Sequence, residues 1–262
     1  MIQDTRYKIQ AKKSLGQNLL INPHIVDKIV DTSEINKSDV VLEVGPGTGN
    51  LTKKLAEKAG TVIAIEKDHR LIPQLSQLVS QYKNIEVIYE DILKFDPTSY
   101  KLQVTSYKVV ANIPYYITSN LLRIIFEKWP KPKLIVLTIQ KEVAQRIIAK
   151  PPHMNLLALS VQYYSEPKII SYISKNNFRP VPKVDSAIIR LTPRSVIRDP
   201  KFFNLATAGF GEKRKQLASS LSKHLKISKE VVGTLLTQIG LSKTARSEEL
   251  SLDQWLDLAK IL

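Results

Sequence analysis

No cysteine occurs anywhere in the 262 residues, which excludes disulfides, thiolate nucleophiles and zinc-thiolate sites. The four histidines (His24, His69, His153, His224) lie far apart without ligand-like spacing, so no metal centre is expected. No apolar run reaches the roughly 18 residues that a membrane span needs. The first residues, Met1-Ile-Gln-Asp-Thr-Arg-Tyr-Lys, hold no apolar stretch of the secretory kind, so a cytoplasmic protein is expected. Repeats and low-complexity tracts are lacking as well. Acidic residues are outnumbered: 24 Asp and Glu stand against 39 Lys and Arg, a formal net charge of +15.

That charge argues for a polyanionic partner. Between Arg179 and Lys229, twelve Lys or Arg face only Asp185, Asp199 and Glu212, so this segment carries +9 of the excess. Nucleic acid is the expected partner. A polybasic membrane contact is disfavoured because no strongly amphipathic anchor accompanies the charge. The 43% hydrophobic content suffices for a large core, as one large domain or one large and one small.

The remaining chain is organised around Val40-Val-Leu-Glu-Val-Gly-Pro-Gly-Thr-Gly49, which reads as strand, tight turn and the start of a helix. Gly45, Gly47 and Gly49 leave no Cβ in the turn, so backbone N–H groups can approach a ligand at a helix N-terminus. About twenty residues on, Glu66 closes a second β-like run and is placed to accept ribose hydroxyls. Glu43, just before the glycines, suits a ligand bearing an ammonium group. It tips the reading from a dinucleotide toward S-adenosylmethionine.

Strand-like and helical patterns then alternate, with strands at 61–66, 85–89, 107–111, 134–139, 169–173 and 186–192. With 40–44 these make seven strands of a doubly wound, mostly parallel α/β sheet, the last two expected as an antiparallel hairpin at its edge. Asn22 and Pro23 are expected to open a helix as N-cap and first-turn proline. Glu43, Glu66, Asp91 and Asn112 all close strands and should converge on one crevice. Past Pro193 four short helices are expected, with Ser228 and Ser247 as N-caps. The predicted division is a sheet domain over 1–195 and an all-helical domain over 196–262.

Asn112-Ile113-Pro114-Tyr115 is the sharpest chemical motif. The exocyclic amine of adenine is a poor nucleophile because its lone pair is delocalised into the ring. The Asn112 side-chain oxygen and the Ile113 carbonyl can accept its two hydrogens and turn the lone pair toward a methyl donor. Pro114 holds the backbone in shape, and Tyr115 supplies a face for the base. Phe178, in Phe178-Arg-Pro-Val-Pro-Lys183, is placed either to stack on a flipped base or to fill the core, and spacing does not choose. Gln17 and Asn18 read as loop residues on spacing alone.

Together with Lys12-Lys-Ser-Leu-Gly-Gln-Asn-Leu-Leu20, Ile65-Glu-Lys-Asp68, Gln140-Lys-Glu-Val-Ala-Gln-Arg146 and Gly209-Phe-Gly-Glu-Lys-Arg-Lys-Gln-Leu217, these motifs cover nearly the whole chain. The chain resembles the rRNA adenine N6,N6-dimethyltransferases, in particular the branch that modifies the small ribosomal subunit. The resemblance implies a class I, Rossmann-like methyltransferase domain with a small helical domain, and S-adenosylmethionine as methyl donor. It further implies two adjacent adenines near the 3′ end of small-subunit rRNA as targets, in a partly assembled subunit, and a monomeric enzyme. It places Gln17, Asn18 and Leu20 in the cofactor pocket with Glu43, Gly45, Gly47, Glu66, Lys67, Asp91, Ile92 and Asn112, Asp91 meeting the cofactor's adenine amine. Lys12, Lys13, Arg179, Lys183, Lys213, Arg214 and Lys215 are expected to meet RNA phosphates.

Three other readings compete. A large-subunit rRNA adenine methyltransferase conferring antibiotic resistance shares the Asn-Ile-Pro-Tyr motif, but Asp185 and the Lys-Arg-Lys cluster at 213–215 favour the small-subunit branch. A non-catalytic RNA-binding factor of the same fold would not need the cofactor and amine-clamp residues. A nicotinamide dehydrogenase would need a catalytic His, Tyr or Lys constellation that does not stand out.

Overall fold

A computed structural model describes residues 17–100, 106–212 and 215–262. The chain divides into two compact units, one of residues 1–144 and 168–193, the other of residues 145–167 and 194–262.

The first unit is built on a sheet of seven strands: β2 (Val40–Val44), β3 (Thr61–Glu66), β4 (Ile85–Tyr89), β5 (Tyr107–Asn112), β6 (Leu134–Gln140), β7 (Ser165–Ile173), which enters this unit at Lys168, and β9 (Ser186–Pro193). Their spatial order is β4-β3-β2-β5-β6-β9-β7. The pairs from β4 through β6 are parallel, and β9 runs antiparallel to β6. β7 and β9 are neighbours at one side of the sheet, as their spacing suggests, with β9 lying inside between β6 and β7. Strand order reverses between β2 and β5, the switch point beside which sheets of this kind bind ligands. β2, β3, β5 and β6 are almost wholly buried, which explains why they read as continuous apolar runs.

Helices α1 (Pro23–Thr32), α2 (Asn50–Lys58), α3 (Ile72–Gln81) and α4 (Thr118–Glu127) belong to this unit, and α5 (Lys141–Ile147) begins in it. Asn22 caps α1, its side chain accepting from the His24 N–H, with Pro23 in the first turn. α2 follows Gly49, whose φ of +83° a residue with a Cβ rarely adopts.

Two strands of two residues each escape a pattern-based reading. β1 (Leu19–Leu20) pairs antiparallel with β8 (Phe178–Arg179), Leu20 opposite Phe178. Phe178 is fully buried, packed in the core with Leu20, Val26, Ile29, Leu51 and Ile188. Its ring is sealed in that core and is not among the residues that line the pocket at the carboxyl ends of the strands, so the core role that spacing left open is the one the burial favours.

At the start of β5, Lys108 Nζ donates to Asp39 Oδ2 at 2.9 Å and to the Glu34 carbonyl, and Asp39 Oδ2 accepts the Asn36 N–H. Both side chains are nearly sealed, at 10% and 5% exposure, so each needs the other.

The second unit comprises α6 (Leu156–Tyr164), α7 (Pro200–Gly211), α8 (Leu217–Leu225), α9 (Lys229–Gln238) and α10 (Leu252–Ile261). A single cut at 195 does not describe this division, because residues 145–167 pack with the C-terminal helices. The cause is aromatic: Tyr163 stacks on Phe202 at 4.8 Å between centroids and Tyr164 on Phe203 at 5.5 Å. Trp255 is fully buried and stacks on Phe210. Ser228 caps α9 as expected. Ser247 does not cap α10; it opens a 3-10 turn and its hydroxyl donates to the Gly209 carbonyl, while Ser251 caps the helix in a capping box with Gln254. Among the described residues no helix is long and apolar enough to cross a membrane.

Asp39→Ala leaves the Lys108 ammonium buried without its carboxylate, with only the Glu34 carbonyl to accept from it, and is expected to cost about 3 kcal/mol in urea unfolding. The double change Asp39→Ala with Lys108→Met should lose clearly less; equal losses would show that the two groups do not depend on each other.

Candidate active site

At the carboxyl ends of the parallel strands lies a pocket of about 970 Å³, open solvent at its mouth included. Gln17, Asn18 and Leu20, the glycine turn, Glu43, Glu66, Lys67, Asp91, Ile92, Asn112, Ile113 and Pro114 all line it. The strand registers explain this convergence: Val44 lies opposite Ile65, Glu66 opposite Tyr89 and Asn112 opposite Thr138, so successive strands deliver their last residues to one level.

The turn is shaped by glycine at two positions. Gly45 has φ of +69° with nothing within 4 Å of where a Cβ would stand. At Gly47, φ is +59° and a Cβ would meet Leu19 Cδ2 at 2.9 Å. Glu66 locks this turn from the neighbouring strand: Oε2 accepts the Gly47 N–H at 3.2 Å and Oε1 the Asp68 N–H at 2.8 Å. Burial pushes the Glu66 carboxyl above the ordinary range, against the backbone N–H groups that favour its charge.

Glu43 is buried, and its Oε2 has no hydrogen-bond donor. Burial pushes the carboxyl up to about 8; the Thr52 hydroxyl opposes the shift, and Glu66 adds to it. A buried acceptor without a donor, in a pocket wall, suits a ligand that brings a donor, such as an ammonium group.

Asn112 is oriented from outside its own strand. Its Nδ2 donates to the Asn18 carbonyl at 2.9 Å, which leaves Oδ1 as the atom able to accept from a ligand. Asn18 is held in turn by a strap of contacts. Asn50 Nδ2 donates to the Leu20 carbonyl, the Ile21 N–H to the Asn177 carbonyl, and Gln17 Nε2 to Asp68 Oδ2 at 2.9 Å. Gln17 and Asn18, loop residues by spacing, therefore form part of the pocket. Asp68 and Asn50 support the site and were not expected from the sequence; only their places beside the Ile65-Glu-Lys-Asp68 and glycine motifs could have signalled them.

Lys67 Nζ donates to Asp91 Oδ2 at 2.7 Å at the pocket wall, and the Leu93 N–H reaches Asp91 Oδ1. Burial raises the Asp91 pKa, but Lys67 and the Leu93 N–H outweigh it and hold the carboxyl below its ordinary value. Asp91 is therefore ionised and already partnered on both oxygens.

After Pro114 the chain turns in a 3-10 helix over Tyr115–Ile117. Tyr115 is half-buried, its hydroxyl hydrogen-bonded to Ser186 Oγ at 2.6 Å and its carbonyl accepting from Thr118 Oγ1. Burial raises its pKa. The aromatic residue that lines the pocket beside Asn112 is the next one, Tyr116, 61% exposed. Its only signal in the sequence was the tandem tyrosine.

The model of the family described as "Ribosomal RNA adenine dimethylase" matches residues 8–262. The chain belongs to that family. Membership carries dimethylation of adenine in ribosomal RNA as the activity. Among relatives of the dimethylase family, "Ribosomal RNA small subunit methyltransferase A" of Dehalococcoides mccartyi strain CBDB1 is 43% identical over 257 residues, covering 96% of this chain and 88% of its own. The protein of that name in Alkaliphilus oremlandii strain OhILAs is 40% identical, covering 98% and 93%. Of solved structures, the 23S rRNA methyltransferase ErmE matches with a TM-score of 0.77 and 28% identity over 93% of this chain and 98% of its own. A dimethyladenosine transferase from Plasmodium falciparum matches at 0.76 and 30% over 92% and 95%. The dimethylase fold is thus a class I methyltransferase sheet, as the strand pattern implies.

Of the residues expected to meet RNA, Arg179, Lys183 and Lys215 are exposed, Lys215 pairing with Glu212 at 2.8 Å. Lys12, Lys13, Lys213 and Arg214 lie outside the described residues.

Because the Glu43 pKa is raised from 4.5 to about 8, the folded protein holds that proton where the unfolded chain has released it. The stability from this group is full below the lower value and falls as pH rises through the upper one, by at most ~1.4 kcal/mol per pH unit. Urea midpoints of the ligand-free protein should fall across this window. Glu43→Gln should flatten the fall; an unchanged profile in that variant would show that Glu43 does not titrate there.

Proposed function

We propose that the protein transfers methyl groups from S-adenosylmethionine to the N6 amines of two adjacent adenines near the 3′ end of small-subunit rRNA, in a partly assembled subunit. The observation that carries the chemistry is the amide orientation of Asn112: with Nδ2 spent on Asn18, Oδ1 is the acceptor beside the pocket.

S-adenosylmethionine supplies a methyl group on a cationic sulfur, so the departing thioether is neutral and needs no acid. Glu43 would hold the ammonium of its amino-acid end, becoming a carboxylate as it does so. The amides of the glycine turn would receive the carboxylate, and Glu66, with lone pairs left beyond its two backbone bonds, the ribose hydroxyls. Ile92 and Leu20, which line the pocket, would supply apolar walls, and Lys67 and Asp91 would supply a polar edge for the adenine.

Asn112 Oδ1 and the Ile113 carbonyl would accept the two hydrogens of the target amine. Nitrogen is thereby drawn toward tetrahedral geometry and its lone pair aimed at the methyl carbon. With the methyl group supplied by the bound sulfonium, these two acceptors would hold the amine in line for its displacement, and no side chain of the pocket is needed to take the proton, which would pass to water. Rate then rests on alignment. Tyr116, exposed at the rim, and Tyr115, anchored to Ser186, are the aromatic groups available to the flipped base.

The small-subunit choice is supported by the names of the relatives at 40–43% identity. The similarity to ErmE supports a second reading, a large-subunit target. We further propose that the protein acts as a cytoplasmic monomer, with Lys12, Lys13, Arg179, Lys183, Lys213, Arg214 and Lys215 meeting rRNA phosphates.

Mass spectrometry of both rRNAs from cells lacking and regaining the protein is expected to show N6,N6-dimethyladenosine restored in the small subunit; restoration in the large subunit alone would establish the second reading. Asn112→Ala should lower methyl transfer about 100-fold or more, by analogy with removing one precisely placed polar group from an active site. Calorimetric affinity for S-adenosylmethionine should stay within about tenfold. Undiminished turnover would defeat the amine clamp.

A further inference from the structure

Tyr172 is an aromatic residue with no part in the pocket. It stands next to last in β7, the strand at the edge of the sheet, and is 51% exposed. Lys141, the first residue of α5, holds its ammonium 5.1 Å from the centre of the ring. The loop that follows β7 adds exposed Lys175, Lys183, Val181 and Val184. An exposed tyrosine with an ammonium over its ring, followed in the chain by exposed lysines and small apolar side chains, gains little by covering a core. It has the composition of a surface that stacks bases and neutralises phosphates.

Its place relative to the clamp is set by hydrogen bonds. Gln140 at the end of β6 lies opposite Ser186 at the start of β9, so the start of β9 is at the pocket end of the sheet. The Lys141 N–H donates to the Asp185 carbonyl and the Lys175 N–H to Asp185 Oδ1, each at 3.0 Å. The next residue, Ser186, bonds the Tyr115 hydroxyl. One loop therefore ties the tyrosine and its lysines to the tetrapeptide that would hold the target amine. Asp185 is the one carboxylate within this network, and its Oδ1 is engaged by a backbone N–H.

We propose that Tyr172 and Lys141, together with Lys175 and Lys183 of the segment that follows β7, form a platform that binds the single-stranded RNA flanking the target base. The platform rests on the rRNA-substrate reading above and gives it a docking surface. A flanking base stacks on Tyr172 while the Lys141 ammonium moves from the ring to a neighbouring phosphate. Lys175 and Lys183 follow the backbone onward. Recognition of this kind tolerates any base, since every base offers a π-face.

The test uses the full chain and a fluorescein-labelled, unstructured RNA of about ten nucleotides, a length within reach of one binding groove. Anisotropy titrations run from about 50 to 200 mM salt. Tyr172→Ala is expected to weaken binding about five- to tenfold, whereas Tyr172→Phe, which keeps the ring, stays within about twofold. The Lys175→Gln, Lys183→Gln double variant should lower the salt slope by about one to two. Melting temperature and calorimetric affinity for S-adenosylmethionine report whether each variant is folded. Should Tyr172→Ala fail to fold, the exposed lysine pair decides, and an unchanged affinity and slope there overturns the platform. A folded Tyr172→Ala within twofold of the wild type also overturns it. So does a variant that keeps RNA affinity but binds intact small subunits less tightly, because the surface then docks a protein. A wild type that binds the RNA through Tyr172 yet methylates no rRNA sinks the proposed function and leaves the platform; normal methylation with binding indifferent to Tyr172 does the reverse.

Discussion

The bond from the Asn112 amide to the Asn18 carbonyl decides what the pocket can do. A primary amide offers a donor end and an acceptor end of nearly equal size, and a site that must accept hydrogens from an amine works with only one of them. β5 brings Asn112 to the right level, but the strand cannot choose which end faces the ligand. The choice is made by a peptide carbonyl 94 residues earlier. The strap at 17–22 therefore acts as a positioning element: the β1–β8 ladder, Asn50, Asn177 and Asp68 hold it, and it holds Asn112.

A second constraint comes from the buried carboxylates on β2 and β3. Glu66 is satisfied by backbone N–H groups of the turn it shapes, so its charge is supported by the fold itself. Glu43 has no such support at Oε2, and burial pushes its carboxyl above the ordinary range. Two acids one strand apart thus play different parts. One holds the turn, and the other leaves an uncompensated oxygen in the pocket wall.

Much of this was legible in the sequence because it lies on regular elements. The glycine turn, the strand-closing Glu66, Asp91 and Asn112, and the capped α1 all follow from periodicity and backbone chemistry. What escaped depends on contacts between distant segments. A pair of two-residue strands is too short to show any period, so β1 and β8 could not be seen, and without them neither the burial of Phe178 nor the role of Asn18 follows. Ser247 and Ser251 both precede helical patterns, and only the reciprocal Gln254 contact selects the second. α6 lies between strands in sequence, yet its tyrosines pack with Phe202 and Phe203, a preference that no local pattern records.

The strap joins groups made at very different times during synthesis. Asn22 and its partner Asn177 are separated by 155 residues, and β1 has no strand to pair with until β8 has been translated. A pairing this non-local is late to form. Until residues 178–179 are joined to it, β1 lacks its partner strand, and the segment that carries the Asn18 carbonyl lacks that support. One wall of the pocket is therefore completed by segments far apart in the chain rather than by neighbours in it.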